Sequence, residues 1–166
     1  MRWMPRRNKQ TRMIRPVSVI AVLLAGVMAA GAARADFADA ARAYDGGDYA
    51  TALGEWRKLA EAGDAAAQVA IAGMYRSGEG QLPDPVRAAR WYRRAADQGN
   101  AVAQMNLGEM YMLGSGVVRD RIAAYAWLSR AAAQGQGWAA DQRERLARRM
   151  TSEDVKRARQ LVKSYP

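Results

Sequence analysis

The chain has 166 residues with no histidine and no cysteine, which excludes His-dependent triads, thiol nucleophiles, disulfides and ordinary zinc sites. Its formal charge of +10 would suggest a nucleic-acid partner, but residues 1–35 hold seven of the basic residues and no acid, leaving 19 basic and 16 acidic residues from Asp36 to Pro166. A balance of +3 over that stretch is no footprint for nucleic acid, and its 131 residues suit a single domain.

The first sixteen residues contain Arg2, Arg6, Arg7, Lys9, Arg12 and Arg15, and an apolar run from Val17 to Gly31 follows before Ala33-Arg34-Ala35. A basic start, an apolar stretch of that length and a small-x-small site predict a secretory signal peptide cleaved after Ala35. The alternative is an uncleaved anchor in the inner membrane, although a spanning helix usually needs about 20 apolar residues. Arg6-Arg7 lacks the hydrophobic neighbours of a twin-arginine signal, so general export is expected; Met4 and Met13 are alternative starts. No cysteine follows the site to carry a lipid. The expectation is a periplasmic or secreted protein with no stable transmembrane segment after processing.

Beyond Ala35 every stretch reads as helix. Phe37, Ala40, Ala41 and Tyr44 recur at three- and four-residue spacing, and Asp45-Gly46-Gly47 ends that helix. Asp48 is placed to cap a second helix with the stripe Tyr49, Ala52, Leu53, Trp56, Leu59 and Ala60, stopped by Gly63-Asp64. Residues 36–64 thus form a first, diverged hairpin.

The next unit, 65–100, carries Ala67, Ala70, Ile71, Met74 and Tyr75 on one helical face, closed by Gly78 and Gly80. Asp84 and Pro85 open a second helix, on which Ala88, Trp91, Tyr92, Ala95 and Ala96 face inward before Gly99. Residues 101–136 repeat the plan without a gap. Fifteen positions are identical at a spacing of 36, including Gln68 and Gln104, Tyr75 and Tyr111, Asp84 and Asp120, and Trp91 and Trp127. A fixed period in the thirties signals stacked helical hairpins, none of which can bury its apolar stripe alone.

In the last unit, 137–166, Trp138 to Met150 reads as a helix, but Arg143 takes the place of Leu107 and the glycine loop is missing. Thr151 is placed to cap a final helix, with Asp154 in a capping-box-like position and Val155, Ala158, Leu161 and Val162 as its stripe. A more charged terminal hairpin is what an array needs in order to stop growing.

The two full units resemble Sel1-like repeats, relatives of the tetratricopeptide class. Leu107-Gly108, Met110-Tyr111, Gly114, Gly116-Val117, Asp120, Ala124, Trp127, Ala131-Ala132 and Gly135 match the family pattern. Unit 65–100 departs from it at Ala72, where a glycine is expected, and at Gln81, where a valine is expected. The resemblance implies an all-α, right-handed superhelical solenoid of about four antiparallel helical hairpins. It also implies an adaptor or scaffold, often at the cell envelope, with no enzymatic activity and no catalytic residue or cofactor to carry over.

The residues themselves point the same way. Asp84 and Asp120 occupy equivalent cap positions, which accounts for them without a substrate. Tyr75, Tyr111, Trp91 and Trp127 could stack on sugar, but their recurrence on the inward stripe favours core packing. The glycine pairs have neither the preceding strand nor the following lysine of a phosphate loop, and read as turns.

A partner surface is expected where the copies differ on a constant scaffold: Val69 and Met105, Gly73 and Glu109, Arg76 and Met112. First helices in such arrays line the concave face, so these six residues are the candidate contacts for a protein or peptide segment. The alternative for the two methionines is contact with the adjacent hairpin. A second candidate is the basic terminal hairpin, with Arg143, Arg145, Arg148, Arg149, Lys156, Arg157, Arg159 and Lys163. Given export, it would meet an envelope polymer such as peptidoglycan or an anionic lipid surface, or serve only as a solvated cap.

Overall fold

A computed structural model describes residues 36–165; the segment expected to direct export lies outside them. The regular structure among the described residues is entirely α-helical: α1 through residues 36–45, α2 Tyr49–Glu61, α3 Ala65–Ser77, α4 Pro85–Asp97, α5 Ala101–Leu113, α6 Arg121–Ala133, α7 Gly137–Ala147 and α8 Ser152–Ser164. None of these helices is long and apolar enough to cross a membrane.

The helix boundaries follow from local chemistry. The side chains of Asp48, Asp64, Asp84, Asn100, Asp120 and Thr151 each accept a backbone N–H in the first turn of the helix they precede. Each such bond contributes about 1 kcal/mol. At Thr151 only half of the capping box forms: its hydroxyl accepts from Asp154 N at 3.1 Å, while the Asp154 carboxylate turns to Arg157 at 3.8 Å. Helix α7 stops at Ala147 rather than reaching Met150. Thr151 can cap α8 only if the chain leaves the helix first, and bonds from Arg149 N to Leu146 O and from Met150 N to Ala147 O make that turn.

Alanine columns let the hairpins close on each other. Ala52, Ala88 and Ala124 are fully buried at one register, and Ala67, Ala103 and Ala139 at another. Larger side chains fill the space between them, with Trp56, Tyr92 and Leu128 in equivalent buried places. The hydrophobic core runs as three linked clusters: one around Ala40, Trp56 and Ile71, one around Tyr92, Leu107 and Trp127, and one around Leu128, Leu146 and Ala158.

The loop between the helices of each full unit locks onto the preceding hairpin. A Cβ on Gly80 would lie 2.6 Å from Tyr49 Cβ, and one on Gly116 would lie 2.0 Å from Pro85 O. Tyr49 and Pro85 each begin the second helix of the hairpin before. These glycines are therefore contact points between units as well as turn residues.

A polar ladder runs through the stack. Gln68 Nε2 donates to Ala60 O and Gln104 Nε2 to Ala96 O, both at 3.1 Å. Gln98 Nε2 then donates to Gln68 Oε1 (2.9 Å) and Gln134 Nε2 to Gln104 Oε1 (2.8 Å). Gln68 and Gln104 are buried, so these bonds meet a requirement that a buried amide cannot leave open.

The end of the array packs differently. In the full units α3 lies on α4 and α5 on α6, whereas α7 and α8 both rest on α6. With Arg143 where Leu107 would be, α7 buries only Ala139 and Leu146 and offers α8 little apolar surface. Beyond α8, Tyr165 stacks on Trp127 with ring centroids 4.1 Å apart and 17° between the planes.

Candidate functional site

Val69, Gly73 and Arg76 stand at successive turns of α3 and line one open groove of about 450 Å³. Tyr44 of α1 and Val102 and Asn106 of α5 form its flanks, so the groove runs along the first helices of three consecutive hairpins. At Gly73 the space is real: an added Cβ would meet only the Tyr92 hydroxyl, at 3.9 Å.

Charged groups edge the groove. Arg76 donates to Asn106 Oδ1 and to the Glu109 carboxylate, each at 2.8 Å, and so ties α3 to α5. Glu79 accepts from the Tyr44 hydroxyl at 2.6 Å and from Ser77 at 2.7 Å. The Tyr44 bond holds the Glu79 carboxyl below the usual range, and the same bond pushes the Tyr44 phenol up to about 12.

The six residues expected to contact a partner therefore fall into two groups. Val69, Gly73 and Arg76 share the groove, and Glu109 reaches its rim through Arg76. Met105 and Met112 are half-buried against a cluster that α6 of their own hairpin shares with α7 and α8 of the next. Met112 also lines a smaller depression of about 340 Å³ together with Leu113, Leu146 and four arginines.

The terminal basic residues likewise do not form one surface. Arg145 and Arg149 line the smaller depression, joined by Arg119 and Arg121 from either side of the Asp120 cap. Arg143 pairs with Glu144 at 3.8 Å, Lys156 with Glu153 at 4.0 Å and Arg157 with Asp154 at 3.8 Å. Arg148, Arg159 and Lys163 are exposed outside the depression.

Tyr44, Glu79, Asn106, Arg119 and Arg121 are site residues that sequence reasoning missed. The two arginines carry a usable signal, since they flank the Asp120 cap in the loop between the two helices of unit 101–136. Tyr44 and Glu79 meet across 35 residues, and no repeat period connects them.

Other residues that could suggest chemistry have structural partners. Asp84 accepts from Arg87 N at 2.9 Å, and Asp120 from Ile122 N and Ala123 N at 2.8 and 3.0 Å. Tyr75 is buried and accepts from Arg57 at 3.1 Å; one period later Tyr111 accepts from Arg93. Trp127 is fully buried, with the Arg93 guanidinium 4.9 Å from the centre of its ring. Among the described residues no cluster of three or more acidic side chains is placed to hold a metal ion.

The Sel1 repeat family matches residues 65–100 and 101–136. A Sel1 repeat protein from Oxalobacter formigenes has a similar structure, with a TM-score of 0.64 and 33% identity over 75% of this chain and 97% of its own. A protective antigen of uropathogenic Escherichia coli with an SLR fold superposes over 80% of this chain, with a TM-score of 0.75 and 31% identity. The present chain spans 29% of that antigen. No curated protein matches the sequence.

Proposed function

The chain belongs to the Sel1 repeat family, and on that premise we propose that it is a non-enzymatic scaffold of the cell envelope, holding a peptide or protein segment along the first helices of its hairpins. Sel1 repeats generally build protein-interaction scaffolds. The observation that carries the reading here is the groove in which Val69, Gly73 and Arg76 stand together, with apolar walls and hydrogen-bonding groups at its edge. Rigid helices joined by caps, glycine contacts and a glutamine ladder present that groove preformed, which lowers the entropic cost of binding.

Gly73→Glu tests the site. It fills the groove while replacing a poor helix former with a good one, so the fold is expected to hold. Crosslinked capture of the partner from native envelopes should be lost by this variant, with helical circular dichroism unchanged. Undiminished capture by a folded variant would overturn the assignment. Placement in the envelope rests on the basic and apolar leader with its Ala33-Arg34-Ala35 site. N-terminal sequencing of the protein recovered from its host should begin at Asp36.

A further inference from the structure

The smaller depression, at the join of α5 and α7, has a chemistry of its own. Met112 and the buried Leu146 form its floor, and Leu113, 65% exposed, stands at its edge. Four guanidiniums surround that apolar surface: Arg119 and Arg121 on either side of the Asp120 cap, Arg145 from the last turn of α7 and Arg149 from the turn that follows it. No carboxylate lines it, and none of the four arginines forms an ion pair among the described residues. This contrasts with the groove on α3, where Arg76 already has Glu109.

The repeat register ties the two places together. Arg145 stands 36 residues after Glu109 and 72 after Gly73, and Arg148 stands 36 after Met112. The depression therefore continues the face that the groove begins. On that face Asp141 follows Met105 at the same spacing, but it lies outside the lining of the depression, where arginines that form no ion pair among the described residues take the place of Glu109. An extended segment lying on it would be drawn to place its own acids over the depression, beside Arg145 and Arg149.

Guanidinium forks recognise carboxylates in paired, planar geometry, and an apolar floor beside them calls for an apolar group next to the anion. The hollow, of about 340 Å³, has room for a protruding side chain beside the four guanidiniums.

We propose that this pocket takes an acidic-apolar peptide segment, with an Asp or Glu side chain among Arg119, Arg121, Arg145 and Arg149 and an adjacent Leu or Phe side chain on Met112 and Leu146. The proposal rests on the scaffold reading and adds the chemistry of the partner and the end of the face that reads it.

Fluorescence anisotropy of the purified protein tests it with a labelled ten-residue peptide pool alternating Asp/Glu with Leu/Phe, and with a matched pool carrying Asn/Gln. The acidic pool should bind at least about tenfold more tightly, and more weakly as salt rises. Arg145→Gln combined with Arg149→Gln should lose about tenfold or more of that affinity with the melting temperature unchanged. Equal binding of the two pools, or acidic binding indifferent to the double variant, overturns the proposal. If acidic-pool binding is lost in Gly73→Glu but not in the arginine variant, this pocket fails while the scaffold reading stands. Phosphatidylglycerol vesicles that bind through the same arginines, where the acidic pool does not, would overturn it in favour of a lipid surface.

Discussion

Trp91 and Trp127 stand 36 residues apart at the same point of two hairpins that share fifteen residues, yet Trp127 is fully buried and Trp91 only partly. Both carry a guanidinium near the ring, from Arg94 at 4.5 Å in one case and Arg93 at 4.9 Å in the other. What separates them is the cover. Trp127 lies under the stacked ring of Tyr165, whose partial burial in turn raises its own phenol pKa. The lesson is that in a stacked array identical residues acquire different energetic weight from what lies over them.

The largest expected effect tests that difference directly. Trp127→Ala should cost about 3–5 kcal/mol, and Trp91→Ala only on the order of 1–3 kcal/mol, read as the shift in urea unfolding. Equal costs would break the comparison.

A second contrast concerns glycines with positive φ. Gly116→Ala drives a Cβ against Pro85 O at 2.0 Å, whereas at Gly135 an added Cβ meets nothing within 4 Å. With backbone φ of 68° and 88° both substitutions incur conformational strain, so Gly135→Ala should cost about 1 kcal/mol and Gly116→Ala roughly 2–4 kcal/mol. Similar melting temperatures would show that the loop does not grip the preceding hairpin.

Removing the cover should bring the two units closer. Tyr165→Ala is expected to cost about 0.5–1.5 kcal/mol. In that background Trp127→Ala should be less damaging than in the parent, a coupling that a double-mutant cycle measures. A strictly additive pair would remove Tyr165 from the explanation.

The smallest effect belongs to the first unit alone, because Ser115 stands where Glu79 would repeat. Glu79 titrates below its ordinary value, so its contribution is present above the usual carboxylate range and disappears as pH falls through the lowered folded value. Tyr44, raised to about 12, contributes fully below its free value and loses that contribution as pH rises through its folded one. In solvent the contact is worth no more than about 1 kcal/mol. Tyr44→Phe should remove this component from both limbs of the stability–pH curve; unchanged limbs would show that the bond carries no stability.

The site was only partly legible in advance. Sites where two copies disagree directed attention to Val69, Gly73 and Arg76, and these do share a groove. The same rule picked out Met105 and Met112, which pack on the cluster that joins their own α6 to the terminal hairpin. A repeat register tells which residues are equivalent, but the neighbour across the interface decides whether an unmatched residue is free. Gln68 and Gln104 stood out as identical positions, but their role was hidden for the opposite reason. They are identical in both copies but polar, and only the position of the Ala60 and Ala96 carbonyls reveals why an amide belongs in the core.

Sequence alone was enough for the helix count from α1 to α8, the caps at Asp84 and Asp120, the alanine columns and the family. All of these depend on spacing within one helix or on a period of 36, and both are local properties of the chain. Tertiary structure decided that α7 and α8 both rest on α6, that Tyr165 covers Trp127, and that Arg145 and Arg149 gather with Arg119 and Arg121 around Met112. Those arrangements join residues from different units whose separation follows no repeat. They are set by which surfaces remain uncovered once the regular hairpins have stacked.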